Sequence, residues 1–282
     1  MLVSNLELLR AAGYDAPPAT WDELLEVASA VTKRNAQDRI ETAGFAFAES
    51  STGAGLVHPF YAMLYSKGLA VYGDDFSEAN FDSPEAAEVL TQQRELVASG
   101  VTDRTVDGYD FPAGGIGMII MANWLEADLR SGFGERFDEA VAVSPIPMGE
   151  DWRTLQYAFF MGVDSNSDVK EEAWDVIRYV NSKASAVDGG SSCMGETLDA
   201  LGALTANTTD QAALGEMDAF TAAYWKALED GRAISQPNVM QAAEIEGMMA
   251  AAFDRALAGE VEPAEAMREL DAAIEDVLFE FY

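Results

Sequence analysis

The residues best placed for ligand chemistry lie at 114–130, GGIGMIIMANWLEADLR. Residues 117–121 form an apolar run of strand length, Asn123 and Trp124 interrupt it, and helix formers follow from Leu125. This pattern predicts a strand that ends in a turn and opens a helix. In open α/β sheets, ligands sit just beyond the carboxyl ends of strands. There Trp124 offers a flat apolar face with one N–H donor, a surface that suits the CH face of a sugar ring. The same indole could instead wedge between helix and sheet. Asn123 can donate and accept toward hydroxyls, or cap the helix that follows.

Other chemistries find little to work with. His58 is the only histidine, which excludes His-rich metal sites and most nucleophilic triads that need a second one. No metal ligand set and no cofactor are expected. Cys193 is the single cysteine, so no internal disulfide can form. Among 49 Asp and Glu, two carboxylates for glycoside hydrolysis are always available, but no motif fixes a pair.

The 49 acids stand against 17 Lys and Arg, a net charge of −32 over 282 residues. A field of that sign repels phosphate, which argues against nucleic-acid binding and anionic membrane surfaces. The acids are spread along the polar faces of helices rather than gathered in a tail. This reads as a solvation strategy for concentrated salt, where screening shortens repulsion to a few Å; an acidic metal-binding surface is the rival reading. No apolar run approaches transmembrane length, so no membrane insertion is expected.

Stepping along the chain, the elements that must hold these residues alternate. Ser4 to Glu7 reads as a capping box, with Gly13 ending the helix. Thr20 to Glu23 is a second box, followed by Trp21, Leu24, Leu25, Ala28 and Val31 on one helical face. Residues 44–48 read as a strand, 58–66 as a helix, and Ser83-Pro84 as the start of another that Gly100 ends. Residues 140–144 and 157–163 read as strands. Asp168 would cap a helix burying Trp174, Ile177 and Val180. This is the order of an α/β layer. After about residue 184 helices take over, at 198–204, 212–228 and 238–258, and Pro263 opens the last. Its stripe is Met267, Leu270, Ile274, Val277, Leu278 and Phe281.

Several segments, in order, resemble the extracellular solute-binding proteins of ABC importers, in the group that takes sugars and maltodextrins. The carriers are SNLELLRAAGYDAPPATWDELLEVASAVT, FDSPEAAEVLTQQRELVASG, GGIGMIIMANWLEADL, AVSPIPMGE with YAFFMGVDSNSDVKEEAWDVIRYVNS, and ALAGEVEPAEAMRELDAAIEDVL. No single motif is specific; the ordered set is, and it covers nearly the whole chain. The resemblance implies an α/β, periplasmic-binding-protein-like (type II) two-lobe fold with the first segment of lobe one missing. It divides the chain into an α/β lobe two at 1–185, a helical part of lobe one at 186–237, and C-terminal helices at 238–282 packing back across hinge and lobe two. It further implies non-enzymatic capture of a sugar or oligosaccharide at the cell surface, with permease subunits as partners; the alternatives are a carbohydrate-active hydrolase using paired carboxylates, or a non-functional fragment of a binding protein with an open cleft wall. The family's signal peptide, lipid anchor and opening α/β segment would precede Ser4, so the chain reads as truncated. Exposed apolar surface is expected where the sheet of lobe one should pack, showing as self-association or poor order after about residue 184.

By the same resemblance, Trp124 matches a stacking aromatic. Glu49, at the end of the strand carrying Phe45 and Phe47, falls where a polar or acidic ligand contact is placed; a carboxylate there accepts two hydroxyl hydrogen bonds, or it is one more solvated acid among the 49. Tyr61 is chosen from His58, Phe60 and Tyr61 as the aromatic facing the cleft, with His58 left as a surface loop residue. Tyr157 stands where the family often has a Gly-Gly pair, and either stacks and donates or packs in the core. Met248 and Met249 are read as core.

Overall fold

The computed structural model describes residues 1–48, 53–186, 190–214 and 217–281. In chain order the elements are β1 (Leu2–Asn5), α1 (Leu6–Ala11), α2 (Trp21–Val31), β2 (Lys33–Arg34), β3 (Ile40–Ala46), α3 (Ala54–Ser66) and α4 (Pro84–Ala98). Then come β4 (Ile116–Ile120), α5 (Glu126–Phe133), α6 (Phe137–Ala140), β5 (Val141–Ser144), β6 (Thr154–Gln156) and α7 (Lys170–Val180). The chain continues with α8 (Cys193–Ala200), α9 (Thr208–Leu214), α10 (Ala219–Glu229), β7 (Ala233–Ser235), α11 (Ala242–Leu257) and α12 (Pro263–Leu278).

A five-stranded sheet of order β2-β3-β4-β1-β5 forms the centre. β3 runs parallel to β4, and β1 is antiparallel to both β4 and β5. Side chains alternate across β1: Leu2 faces one core and Val3 the other. On the first face lie α2, α3, α4, α11 and α12, packing Leu24, Phe60, Leu90, Phe253 and Ile274. On the second lie α5, α6 and α10, packing Leu129, Phe137, Phe220 and Tyr224. The buried stripe of α12 is Met267, Leu270, Ile274 and Leu278. Each such side chain is worth roughly 1.5–3 kcal/mol of gross burial. Phe281, expected on that stripe, is 41% exposed.

Two of the expected caps set helix starts. Thr20 and Glu23 form the expected box at α2, and Ser83 accepts from Ala86 N–H with Pro84 leading α4. The first helix is the exception. Residues 2–5 are not its lead-in but the strand β1, and the cap moves to Asn5, whose Oδ1 accepts from Glu7 N–H at 3.1 Å and Leu8 N–H at 3.3 Å. Ser4 is fully buried in the sheet.

A second correction concerns the stretch after the sheet. β6 pairs in parallel with β7 in a separate two-stranded sheet. Residues 157–163 form no strand: Phe159 is 93% and Phe160 90% exposed. α7 starts after Val169 without a side-chain cap, and Trp174, Ile177 and Val180 are not buried; α7 contains no buried residue. Of its apolar stripe, Ile177 and Val180 are half-buried and Trp174 is exposed. Exposed apolar surface therefore concentrates at 157–180. No described helix is long and apolar enough to cross a membrane.

Candidate functional site

Because β3 and β4 are parallel, their carboxyl ends open on the same edge of the sheet. Three segments converge there. Met121 to Trp124 follow β4, and Asn123–Leu125 form a single 3-10 turn before α5. Phe47 and Ala48 follow β3 and lead toward α3. The third is a 3-10 segment at Gly108–Ala113, where Gly108 N–H donates to Phe47 O at 3.0 Å. A Cβ on Gly108 would lie 2.6 Å from Phe47 O and 2.7 Å from Ile119 Cδ1, so only glycine allows this approach. Gly55 plays the same part for α3: a Cβ there would lie 1.5 Å from Ala48 O. These two close approaches bring Tyr109 and His58 to the edge that already carries Trp124.

The result is a continuous line of rings. Tyr109 and Trp124 have centroids 6.1 Å apart and tilted by 30°. Trp124 Nε1–H donates to the Tyr157 hydroxyl at 2.8 Å. Tyr157 and His58 have centroids 5.4 Å apart. Tyr157 is held from the other side, because it directly follows β6. There Gln156 O accepts from Gln236 N–H at 2.8 Å, and Gln156 Nε2 donates to Ser235 Oγ at 3.0 Å. Tyr109 and Tyr157 remain 41% and 40% exposed. Burial of its ring pushes the Tyr157 phenol up from its ordinary value, against the opposing effect of the Trp124 donor. It keeps its proton across neutral pH, so a hydroxyl that accepts from Trp124 retains a donor for a further partner.

The expected site residues thus separate. Trp124 and Tyr157 are brought together. Asn123 lies beside them, but its Nδ2 donates to Gly202 O at 2.7 Å, and neither the turn nor α5 has a side-chain cap. Asn123 ties the strand end to the loop after α8 rather than capping a helix. Tyr61 lies elsewhere: it is 2% exposed, and its hydroxyl donates to Met249 Sδ at 3.1 Å. The expectation that it faces a cleft is corrected. On α3 the inward side of the helix carries Phe60, Tyr61 and Leu64 together, and His58 is the residue left at the edge. His58 is accordingly a half-buried helix residue, not a surface loop one. Glu49 lies outside the described residues.

Tyr109, Gln236 and Glu246 were not singled out from the sequence, and His58 was weighed but set aside for Tyr61. Gln236 Nε2 donates to Glu246 Oε1 at 2.6 Å, and His58 Nε2 lies 3.7 Å from the same oxygen. Tyr109 carried a signal, as an aromatic in the link just before the central strand. Glu246 carried none among so many acids.

A carboxylate pair lies near the site but is engaged. Glu126 accepts from Arg130 Nε at 2.8 Å and from Thr221 Oγ1 at 2.7 Å, while Asp218 pairs with the same guanidinium and accepts from Thr221 N–H at 2.9 Å. Burial, then the neighbouring Asp218, pushes the Glu126 carboxyl up. For Asp218 burial acts in the same sense but is outweighed by the Thr221 N–H and Arg130, which leave it below its ordinary value. These contacts clamp α5 to α10. Among the described residues no group of three or more His, Cys, Asp or Glu could hold a metal ion.

The geometry has close relatives among solved structures. The cyclic α-maltosyl-1,6-maltose binding protein of Arthrobacter globiformis is 22% identical, with a TM-score of 0.71 over 98% of this chain and 69% of that one. Maltose-bound MalE3 of T. maritima is 24% identical, with a TM-score of 0.74 over 98% of this chain and 70% of that one. The GacH receptor of Streptomyces glaucescens, solved unliganded and with acarbose, is 19% identical, with a TM-score of 0.76 over 100% of this chain and 69% of that one. The fold is that of the two-lobe periplasmic binding proteins.

Within that class the sequence is more specific. The model of the bacterial extracellular solute-binding proteins matches residues 1–187, and the chain belongs to that family, whose members bind solutes rather than transform them. A binding protein of Brucella abortus (strain 2308) is 28% identical over 188 residues, 64% of this chain. The chain spans 43% of the length of that relative.

Proposed function

We propose that this chain binds a sugar or short oligosaccharide along the Tyr109–Trp124–Tyr157 line, for delivery to the permease subunits of an ABC importer. The observation that carries the reading is the indole at the carboxyl end of β4, flanked by two half-exposed phenols. Flat apolar faces bordered by hydroxyl donors and acceptors match the alternating CH faces and hydroxyl rims of pyranose rings. The solved relatives named for maltose, a cyclic maltose and acarbose support the same ligand class. Capture without chemistry fits a surface whose nearest carboxylate pair is locked by Arg130. The cell surface or periplasm is the corresponding location.

The lobes are read in the same way. With lobe two at 1–185 and the helical part of lobe one at 186–237, the β6–β7 pair joins the two, and Tyr157 follows β6 to meet Trp124, so ring contact and inter-lobe connection coincide. The exposed stripe of α7 and residues 157–163 is then a face that belongs against the opposing lobe.

Calorimetric titration of the chain with neutral mono- and oligosaccharides, paired with a reducing-end assay on the same mixtures, tests this. Saturable binding without release of reducing ends is expected. Turnover of any sugar, or no heat from any member of the panel, would overturn it.

A further inference from the structure

The line of rings ends on three polar side chains drawn from separate elements. His58 of α3 follows Tyr157 at 5.4 Å between rings. Gln236, just after β7, donates to Glu246 Oε1 of α11 at 2.6 Å, and its Nε2 lies 3.5 Å from His58 Nε2. The side chains of Glu246 and His58 are 16% and 25% exposed, so the carboxylate is held firmly yet reached by solvent. Among the described residues, Glu246 forms no ion pair with Lys or Arg, and the Gln236 bond falls on its Oε1. A carboxylate fixed in this way keeps lone pairs for incoming donors.

We infer that Glu246, held by Gln236 beside His58, is the specificity-determining residue at the end of the ring wall: it accepts from neutral sugar hydroxyls and rejects sugars carrying carboxylate or phosphate groups. The inference rests on the sugar-binding reading above. Hydroxyl donors to a carboxylate form charge-assisted bonds, which are stronger than neutral ones. An anionic substituent set against the same oxygen meets like charge in a partly dehydrated place, where water screens it poorly. Discrimination then comes from a repulsive element as much as an attractive one. Gln236 cannot offset it, because its amide is already committed to Glu246. The net charge of −32 also repels anions, but salt screens that field, whereas a contact repulsion persists in high salt.

The test is calorimetry in concentrated KCl, using the full chain with maltose, cellobiose, lactose and trehalose and the counterpart of each in which one ring is a uronate. At least one neutral member is expected to bind, with its uronate counterpart weaker by roughly tenfold or more. Glu246→Gln, which keeps shape and removes charge, should weaken the neutral sugar by roughly 5- to 30-fold and bring the uronate close to it. Gln236→Leu, which frees the carboxylate without altering its charge, should weaken the neutral sugar while leaving the uronate excluded. If Trp124→Ala abolishes binding but Glu246→Gln changes neither affinity, this inference falls and the sugar-binding reading stands. If no member binds, or if Trp124→Ala binds as the parent does, the site reading falls and takes this inference with it. Thermal melts of each variant confirm that affinity is compared between folded chains.

Discussion

Trp124 Nε1–H donates to the Tyr157 hydroxyl at 2.8 Å, joining residues 33 positions apart and two different sheets. The bond fixes the plane of the indole, and it orients the phenol without consuming its proton. Tyr157→Phe removes the acceptor but keeps the ring. The expected result is a loss of about 0.5–1.5 kcal/mol in sugar affinity, from a less ordered indole and a missing donor. Trp124→Ala should cost more, about 2 kcal/mol or beyond, because the stacking face itself is gone. Parallel titrations of the two variants check the order.

Tyr61 separates packing from binding. With 2% exposure it stands among Phe60, Met249 and Phe253 in the first core. Tyr61→Ala should destabilise the fold by about 3–5 kcal/mol through lost contacts and a cavity. Tyr61→Phe should change sugar affinity by less than twofold, on the order of 0.4 kcal/mol. Denaturant unfolding and titration of both variants distinguish the two effects.

Tyr224 supplies a pH dependence of stability. Its hydroxyl donates to Met121 O at 2.9 Å in the second core, and burial drives its pKa far above the ordinary value. A tyrosine in the unfolded chain ionises near pH 10. The folded value lies above the unfolded one, so the group's stabilisation is complete below about pH 10 and declines as pH rises beyond it, by about 1.4 kcal/mol per unit. Tyr224→Phe should lower stability by about 1 kcal/mol at neutral pH and flatten this alkaline decline. Melting curves between neutral pH and about pH 11 follow both changes.

The acidic surface predicts a response to salt. With 49 acids against 17 bases, dilution lengthens the range of repulsion from a few Å to tens of Å. The melting temperature should rise continuously from low to multimolar KCl. A flat response would show that the charges are spaced widely enough to ignore one another.

How much of this was legible in the sequence depended on how local the signal was. Trp124 could be placed because strand, turn and helix are written side by side at 116–133. The box at Thr20 and the Pro84 and Pro263 starts were equally local. β1 was hidden because four residues next to a capping signal carry no period of their own; only pairing with β4 and β5 defines it. Residues 157–163 failed in the opposite direction. Their apolar content suits a strand, but no described strand pairs with them, and composition cannot supply a partner. The helix α3 shows the limit for sites. His58 and Tyr61 lie three positions apart, and packing of α3 buries Tyr61 while leaving His58 against Tyr157. Glu246 depended on three elements meeting, which no sequence window contains.

The central claim is that the face of Trp124 receives the sugar, and it can be read at that residue. Fluorine NMR of the chain labelled with 5-fluorotryptophan, with the Trp124 resonance assigned through Trp124→Phe, follows the five indoles separately during titration with a sugar that calorimetry shows to bind. The Trp124 resonance is expected to shift in proportion to saturation, while those of the other indoles move little. A Trp124 resonance that stays fixed as the sugar saturates the protein would contradict it.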